Sequence, residues 1–112
     1  MTKFLHQDLA SGRWQTLSLT EQLANVGSEF ERAWSWRGKG KGELAESAFD
    51  RMSELLYLTI ENNRQQGPAL RELTRLREEL NNEWLSGRKD VPKDLSKYFL
   101  NFAVWAQASR LS

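Results

Sequence analysis

Apolar residues recur every three or four positions along four separate stretches of the chain, which is the spacing of amphipathic helices. The first stretch follows Ser18-Leu-Thr-Glu21, where Ser and Glu three residues apart have the spacing of a capping box. The second runs from about Glu43 to Asn63, the third follows Gly67-Pro68, and the fourth begins around Pro92. The pattern therefore predicts four helices joined by short loops.

The same spacing predicts which residues face the core. The inward positions of the four helices are Leu19, Leu23, Val26, Phe30, Ala33 and Trp34; Leu44, Ala48, Met52, Leu55, Leu56, Thr59 and Ile60; Leu70, Leu73, Leu76, Leu80 and Trp84; and Leu95, Tyr98, Phe99, Phe102, Ala103, Ala106 and Ser109. Gly27 lies within the first of these faces, although glycine weakens a helix by about 1 kcal/mol relative to alanine. Its position predicts either a close approach of another backbone or simple tolerance of glycine.

No stretch shows the alternation of β-branched residues that marks a strand, and valine occurs only at positions 26, 91 and 104. We therefore expect an all-α protein, an up-down antiparallel four-helix bundle over residues 18–112. Residues 1–17 lack a sustained period and are predicted to form an N-terminal arm. This arm is expected to dock through Phe4, Leu5, Leu9 and Trp14.

The 112 residues carry 16 basic and 15 acidic side chains, a net charge of +1, so any strong local charge must come from clustering. Residues 37–42 alternate cations with glycine and carry +3, and residues 86–97 carry +2. In an up-down bundle, the loops after the first and third helices lie at the same end. The sequence therefore predicts a basic end that could contact phosphates, through Arg37, Lys39, Lys41, Arg88, Lys89 and Lys93.

A solvated turn is the commoner role for such a glycine-rich loop. The segment Gly38-Lys-Gly-Lys-Gly42 also lacks the Gly-x-x-x-x-Gly-Lys-Ser/Thr pattern of a nucleotide-binding loop. Its glycines nevertheless leave backbone amides open to close approach by a phosphate.

Five tryptophans are more than one small core needs. Trp34 and Trp36, two positions apart on one helix, are not expected to face the same seam, and Trp105 is offset from its helix's predicted inward face. We expect Trp34, Trp36 and Trp105 to be anchors of an oligomer interface, with cover by the N-terminal arm as the alternative. Trp36 also stands beside the first basic loop, where it could stack on a single-stranded base.

The residues of common catalytic sites are almost absent. The chain has no cysteine, and its one histidine, His6, lies in the predicted arm. No Glu-x-x-His pair lies on an inward face, and no apolar run approaches the roughly 20 residues of a membrane span. We therefore expect a soluble cytoplasmic protein that is not an enzyme and holds no metal or cofactor.

Several segments resemble a group of small uncharacterised prokaryotic helical proteins. They are WQTLSLTEQLANVGSEFERAWSWRGKG (residues 14–40), Ala48-Phe49, Glu54-Leu-Leu-Tyr-Leu-Thr59 and Leu70-Arg-Glu-Leu-Thr-Arg-Leu-Arg-Glu78. More distantly, the four-helix layout with a basic end is similar to the family of 23S rRNA intervening-sequence proteins and the accessory variability determinant of diversity-generating retroelements. That resemblance implies a non-catalytic bundle in a ring-shaped homo-oligomer, typically a pentamer, and for the retroelement member binding to nucleic acid and a reverse transcriptase.

Two hypotheses for function follow. The first is an accessory protein that self-associates and uses its basic end to hold RNA or DNA beside a partner such as a reverse transcriptase. The alternative is a protein interaction or regulatory module that does not bind nucleic acid.

Overall fold

The computed structural model describes residues 12–111 and contains four α-helices. They are α1 (Leu19–Gly38), α2 (Gly42–Asn62), α3 (Gly67–Leu85) and α4 (Lys93–Leu111), preceded by a short 3-10 helix (Trp14–Thr16). No strand occurs among the described residues, so the all-α four-helix bundle is confirmed.

Local signals in the sequence set the helix boundaries. The Ser18 amide donates to the Glu21 carboxylate over 3.0 Å and the Glu21 amide donates to the Ser18 hydroxyl over 3.2 Å, which completes the predicted capping box. α1 continues to Gly38, slightly beyond its predicted end near Trp36, and the chain then turns at Gly40, whose φ of 74° suits glycine.

The helices pack around α1, which contacts α2 and α4 most extensively, while α3 lies chiefly against α2. Most predicted inward residues are buried or partly buried in one core. Leu44, Ala103 and Ser109 are exposed, so their prediction as core residues was wrong. Ala103 lies at the edge of the inward face of α4, whereas Leu44 and Ser109 lie in terminal turns of their helices, where spacing alone does not show how far the core extends.

Gly27 marks a close approach of α1 and α4. A Cβ added at this position would lie 2.7 Å from the Phe99 Cβ and 2.9 Å from its Cγ. The predicted close approach is therefore confirmed, although the neighbour is the base of a side chain rather than a backbone.

A buried polar network attaches the end of the predicted arm to the bundle. The Trp14 indole donates to the Thr59 hydroxyl over 3.1 Å, and the Gln22 side-chain amide donates to the Trp14 carbonyl over 3.0 Å. Asn63 donates to the Gln22 side-chain oxygen over 3.3 Å. The prediction that the arm docks through Trp14 is thus confirmed, whereas Phe4, Leu5 and Leu9 lie outside the described residues.

Replacing Thr59 with valine is expected to lower the free energy of unfolding by about 1–3 kcal/mol, because the buried Trp14 indole loses its acceptor. Urea denaturation measures the loss. Thr74→Val is the matched control, since the Thr74 hydroxyl donates only to carbonyls of its own helix among the described residues. Equal losses in the two variants would contradict a stabilising role for the network.

Candidate nucleic-acid interface

The two basic loops lie side by side at one end of the bundle. From the last turn of α1, the Arg37 Nη1 donates to the Trp84 carbonyl over 3.0 Å and to the Arg88 carbonyl over 3.2 Å. A Cβ on Gly38 would lie 3.6 Å from the Lys89 carbonyl oxygen. The two loops therefore share an end, as predicted. We call this surface the basic end, comprising Arg37, Lys39, Lys41, Arg88, Lys89 and Lys93.

Arg37 acts as the connection between the loops. Its guanidinium carbon lies 3.4 Å from the centre of the Trp84 ring, and that ring stacks on Phe49 at 4.5 Å with an interplanar angle of 8°. Stacking and two hydrogen bonds to carbonyls occupy one face and one nitrogen of the guanidinium. Arg37 therefore orders the basic end, a role that the sequence did not indicate.

The charge of Arg88 is largely neutralised by Glu83, near the end of α3. Its Nη1 forms an ion pair with Glu83 at 2.8 Å, and its Nε donates to the Asp90 carbonyl over 3.0 Å. These contacts hold the α3–α4 loop in shape and reduce the charge that Arg88 offers to a ligand.

The remaining cations of the basic end are exposed lysines, namely Lys39, Lys41, Lys89 and Lys93. Within residues 12–111, none of them forms an ion pair with another described residue. The Lys39 ammonium lies 5.4 Å from the centre of the half-buried Trp36 ring, a cation–π distance. Among the described residues of the basic end, these four ammonium groups are the exposed charges without an ion-pair partner.

Acidic residues limit the basic surface on the side of α4. An open groove of 790 Å³ runs from the α3–α4 loop between the two helices. Its lining has four carboxylates against two cations of the basic end; the carboxylates are Glu79, Glu83, Asp90 and Asp94, and the cations are Arg88 and Lys93. Farther along, burial raises the pKa of the Tyr98 phenol to about 12, and the neighbouring Glu72 carboxylate adds to this effect. Phosphates are therefore expected at the loop tips rather than in this groove.

Of the three tryptophans predicted as interface anchors, one is buried in the core. Trp34 is only 2% exposed, with its ring 4.9 Å from Phe30 and 4.8 Å from Trp84, so it cannot anchor a surface interface. The prediction for Trp34 was wrong because its four-residue step from Phe30 places it on the buried seam. Trp36 is half-buried, and Trp105 is 54% exposed.

An exposed apolar face on α4 was missed by the sequence reading. Leu100 is 61% exposed and Val104 is 56% exposed, beside Trp105. The signal in the sequence is the absence of charge, since residues 98–109 contain no Lys, Arg, Asp or Glu. Such a helix is apolar around much of its circumference and leaves an apolar side uncovered in one copy of the chain.

The described residues form no candidate metal site. Within them, no group of three or more His, Cys, Asp or Glu side chains could hold a metal ion, and His6 lies outside the described range. None of the four helices, as far as they are described, is long and apolar enough to cross a bilayer.

Comparison with known proteins gave no relative: no protein-family model, no curated protein and no solved structure matches the chain. The resemblance to the intervening-sequence and retroelement accessory family therefore stays a prediction, and function must be inferred from the geometry of the basic end.

Proposed function

We propose that the protein is a non-enzymatic accessory protein that self-associates and holds RNA or DNA at its basic end. The observation that carries this proposal is the joining of the two basic loops by Arg37, which donates to the backbone of the second loop. Four exposed lysines share the resulting surface. A reverse transcriptase is the partner that the family resemblance suggests.

The chemistry of this surface suits a phosphate backbone. Lysine ammonium groups act as mobile point charges that tolerate different phosphate positions. The backbone amides of Lys39, Gly40 and Lys41 already donate to carbonyls in the last turn of α1, so the lysine side chains rather than these amides are expected to contact a phosphate. Contacts of this kind position a nucleic acid without reading its sequence.

Binding is expected to depend strongly on salt, because neutralised phosphates release counterions. If all four lysines contact a single strand, raising the salt from about 50 to 200 mM lowers the affinity by about 50-fold. Fluorescence anisotropy with a labelled single-stranded RNA measures this slope. If the RNA does not bind, or if its affinity does not change with salt, the basic end does not hold nucleic acid as proposed.

The double substitution Lys39→Glu/Lys41→Glu is expected to weaken this binding by about tenfold or more and to lower the logarithmic salt slope by about 1.4. Arg71→Glu/Arg77→Glu is the matched control, because it changes the net charge equally but places the charges on exposed positions of α3. If both double variants bind equally weakly, net charge rather than the basic end governs binding.

One observation favours the alternative, a protein interaction or regulatory module. Leu85 is 82% exposed at the end of α3, next to Trp84 and the second basic loop. A large exposed apolar side chain suits a protein partner better than a charged phosphate backbone. Full cellular function of Lys39→Glu/Lys41→Glu would favour this module over nucleic-acid binding.

A further inference from the structure

Trp36 is the tryptophan that combines an accessible side chain with neighbouring lysines. All five tryptophans lie within residues 12–111, and three of them are at most 5% exposed, namely Trp14, Trp34 and Trp84. Trp105 is exposed, but it lies within the uncharged residues 98–109 of α4. Trp36 is half-buried in the last turn of α1, and the Lys39 ammonium lies over its ring at 5.4 Å from the centre. An aromatic ring among cations is the combination with which proteins bind single-stranded nucleic acid.

The contacts of Trp36 fix both its ring and the first basic loop. The indole packs against the hydrophobic core, so its ring loses little freedom when a ligand stacks on it. The Trp36 carbonyl accepts from the Lys39 amide over 3.2 Å and from the Lys41 amide over 2.9 Å. The second loop arrives at the neighbouring Gly38, where an added Cβ would lie 3.6 Å from the Lys89 carbonyl oxygen. Both basic loops therefore meet within two residues of Trp36.

We propose that the basic end binds single-stranded rather than double-stranded nucleic acid, with one unpaired base stacked on the Trp36 ring. This inference rests on the proposed function, because it names the form of nucleic acid that the basic end would hold. In a duplex each base is covered by its neighbours, whereas the bases of an unpaired strand can be splayed out and stacked on an aromatic side chain. The ring therefore contributes only to the binding of an unpaired strand.

The lysines alone would not favour a single strand. A duplex carries one charge per about 1.7 Å of its axis, against one per about 3.4 Å for each strand, so a surface that acts through charge alone binds a duplex at least as well. A measured preference for the single strand would therefore report the contribution of Trp36.

A stacked base would replace the Lys39 ammonium over the Trp36 ring. An exposed cation–π contact favours its closed state by about 2- to 5-fold, whereas stacking of one base on an aromatic side chain strengthens binding by about 5- to 150-fold. The exchange therefore favours the base. Because the Lys39 amide stays bonded to the Trp36 carbonyl, the displaced ammonium remains near the strand and can contact a phosphate beside the stacked base.

Trp36→Leu tests the stacking, because leucine keeps an apolar contact with the core and removes the aromatic face. Fluorescence anisotropy with labelled oligouridine is expected to show an affinity weaker by about 5-fold or more, with an unchanged salt slope since no charge is lost. Trp36→Phe keeps a ring and should retain most of the affinity. Trp105→Leu is the matched control and should bind like the wild type. Circular dichroism should show equal helicity in all three variants.

The ligand provides the second test. The wild type is expected to bind oligouridine at least about 5-fold more tightly than the same strand annealed to oligoadenosine. A strand with abasic sites keeps the phosphates without the bases, and it should also bind at least about 5-fold more weakly than oligouridine. Trp36→Leu should leave the affinities for the duplex and for the abasic strand unchanged.

These measurements separate the stacking from the basic end. The stacking is overturned if Trp36→Leu binds oligouridine as tightly as the wild type, or if the wild type binds the duplex as tightly as the single strand, even when Lys39→Glu/Lys41→Glu weakens both. Equal weakening of single-strand and duplex binding by Trp36→Leu would also overturn it, because Trp36 would then only shape the loop. If the wild type binds none of the three ligands, the proposed function fails together with this inference.

Discussion

Replacing Trp84 with alanine is expected to lower the free energy of unfolding by about 3–5 kcal/mol and to disorganise the basic end. Trp84 is 5% exposed and its indole stacks on Phe49 and meets the edge of Trp34. Removing the indole leaves a large cavity between α1, α2 and α3. Few single substitutions in this chain would remove as much buried surface.

Trp84→Ala also removes the aromatic ring on which the Arg37 guanidinium stacks. With the guanidinium 3.4 Å from the ring centre, the cation–π contact contributes about 0.5–2 kcal/mol to the position of Arg37. Without it, Arg37 is held to the second loop only by its hydrogen bonds to the Trp84 and Arg88 carbonyls. We therefore expect Trp84→Ala to weaken RNA binding even under conditions in which the variant remains folded.

Urea denaturation of dilute protein, in which the monomer dominates, measures the loss of stability. Trp105→Ala is the matched control, because the same truncation at a side chain that is 54% exposed should cost less than about 1 kcal/mol. Trp84→Phe keeps a ring against Phe49 and Arg37. Its loss of stability should lie between those of Trp84→Ala and Trp105→Ala. Equal losses for Trp84→Ala and Trp105→Ala would mean that the aromatic stack does not stabilise the bundle.

The fold could be predicted because the signals that define each helix lie close together in the sequence. Apolar spacing of three and four residues located four helices, and the pair of Ser18 and Glu21 located the start of α1. The shared end of the two basic loops followed from short connections alone, and Arg37 bonded to the Arg88 carbonyl confirms it.

The roles of single residues at the site could not be predicted in the same way. Nothing near Arg37 in the sequence shows that Trp84, 47 positions later, provides its stacking partner and a carbonyl acceptor. Trp34 was predicted both as an inward residue and as an interface anchor. The spacing could not decide between the two, because its pairing with Trp84 and Phe49 depends on how α1, α2 and α3 meet. Spacing gives the face of a helix, but the partner on that face is set by tertiary packing.

The structure of the basic end therefore depends on the packing of the core. A buried stack of Trp34, Trp84 and Phe49 supports Arg37, and Arg37 holds the second loop against the first. The exposed lysines take no part in these contacts, so their side chains can remain mobile. Stability and binding should respond together to changes in the stack, and separately to changes in the lysines.

Replacing Gly27 with alanine is expected to lower the free energy of unfolding by about 1–3 kcal/mol, although alanine is the better helix former. The helix propensity of α1 improves by about 1 kcal/mol. Against this, the new Cβ would lie 2.7 Å from the Phe99 Cβ, an atom that cannot move without α4. The Phe99 ring is further held 5.0 Å from Phe30, so turning it aside disturbs a second contact.

Gly42→Ala is the matched control, because no atom outside its chain neighbours lies within 4 Å of its added Cβ and the position opens α2. Urea denaturation should show this variant unchanged or more stable by up to about 1 kcal/mol, and Gly27→Ala less stable. If Gly27→Ala were as stable as Gly42→Ala, α1 and α4 would have to separate at little cost.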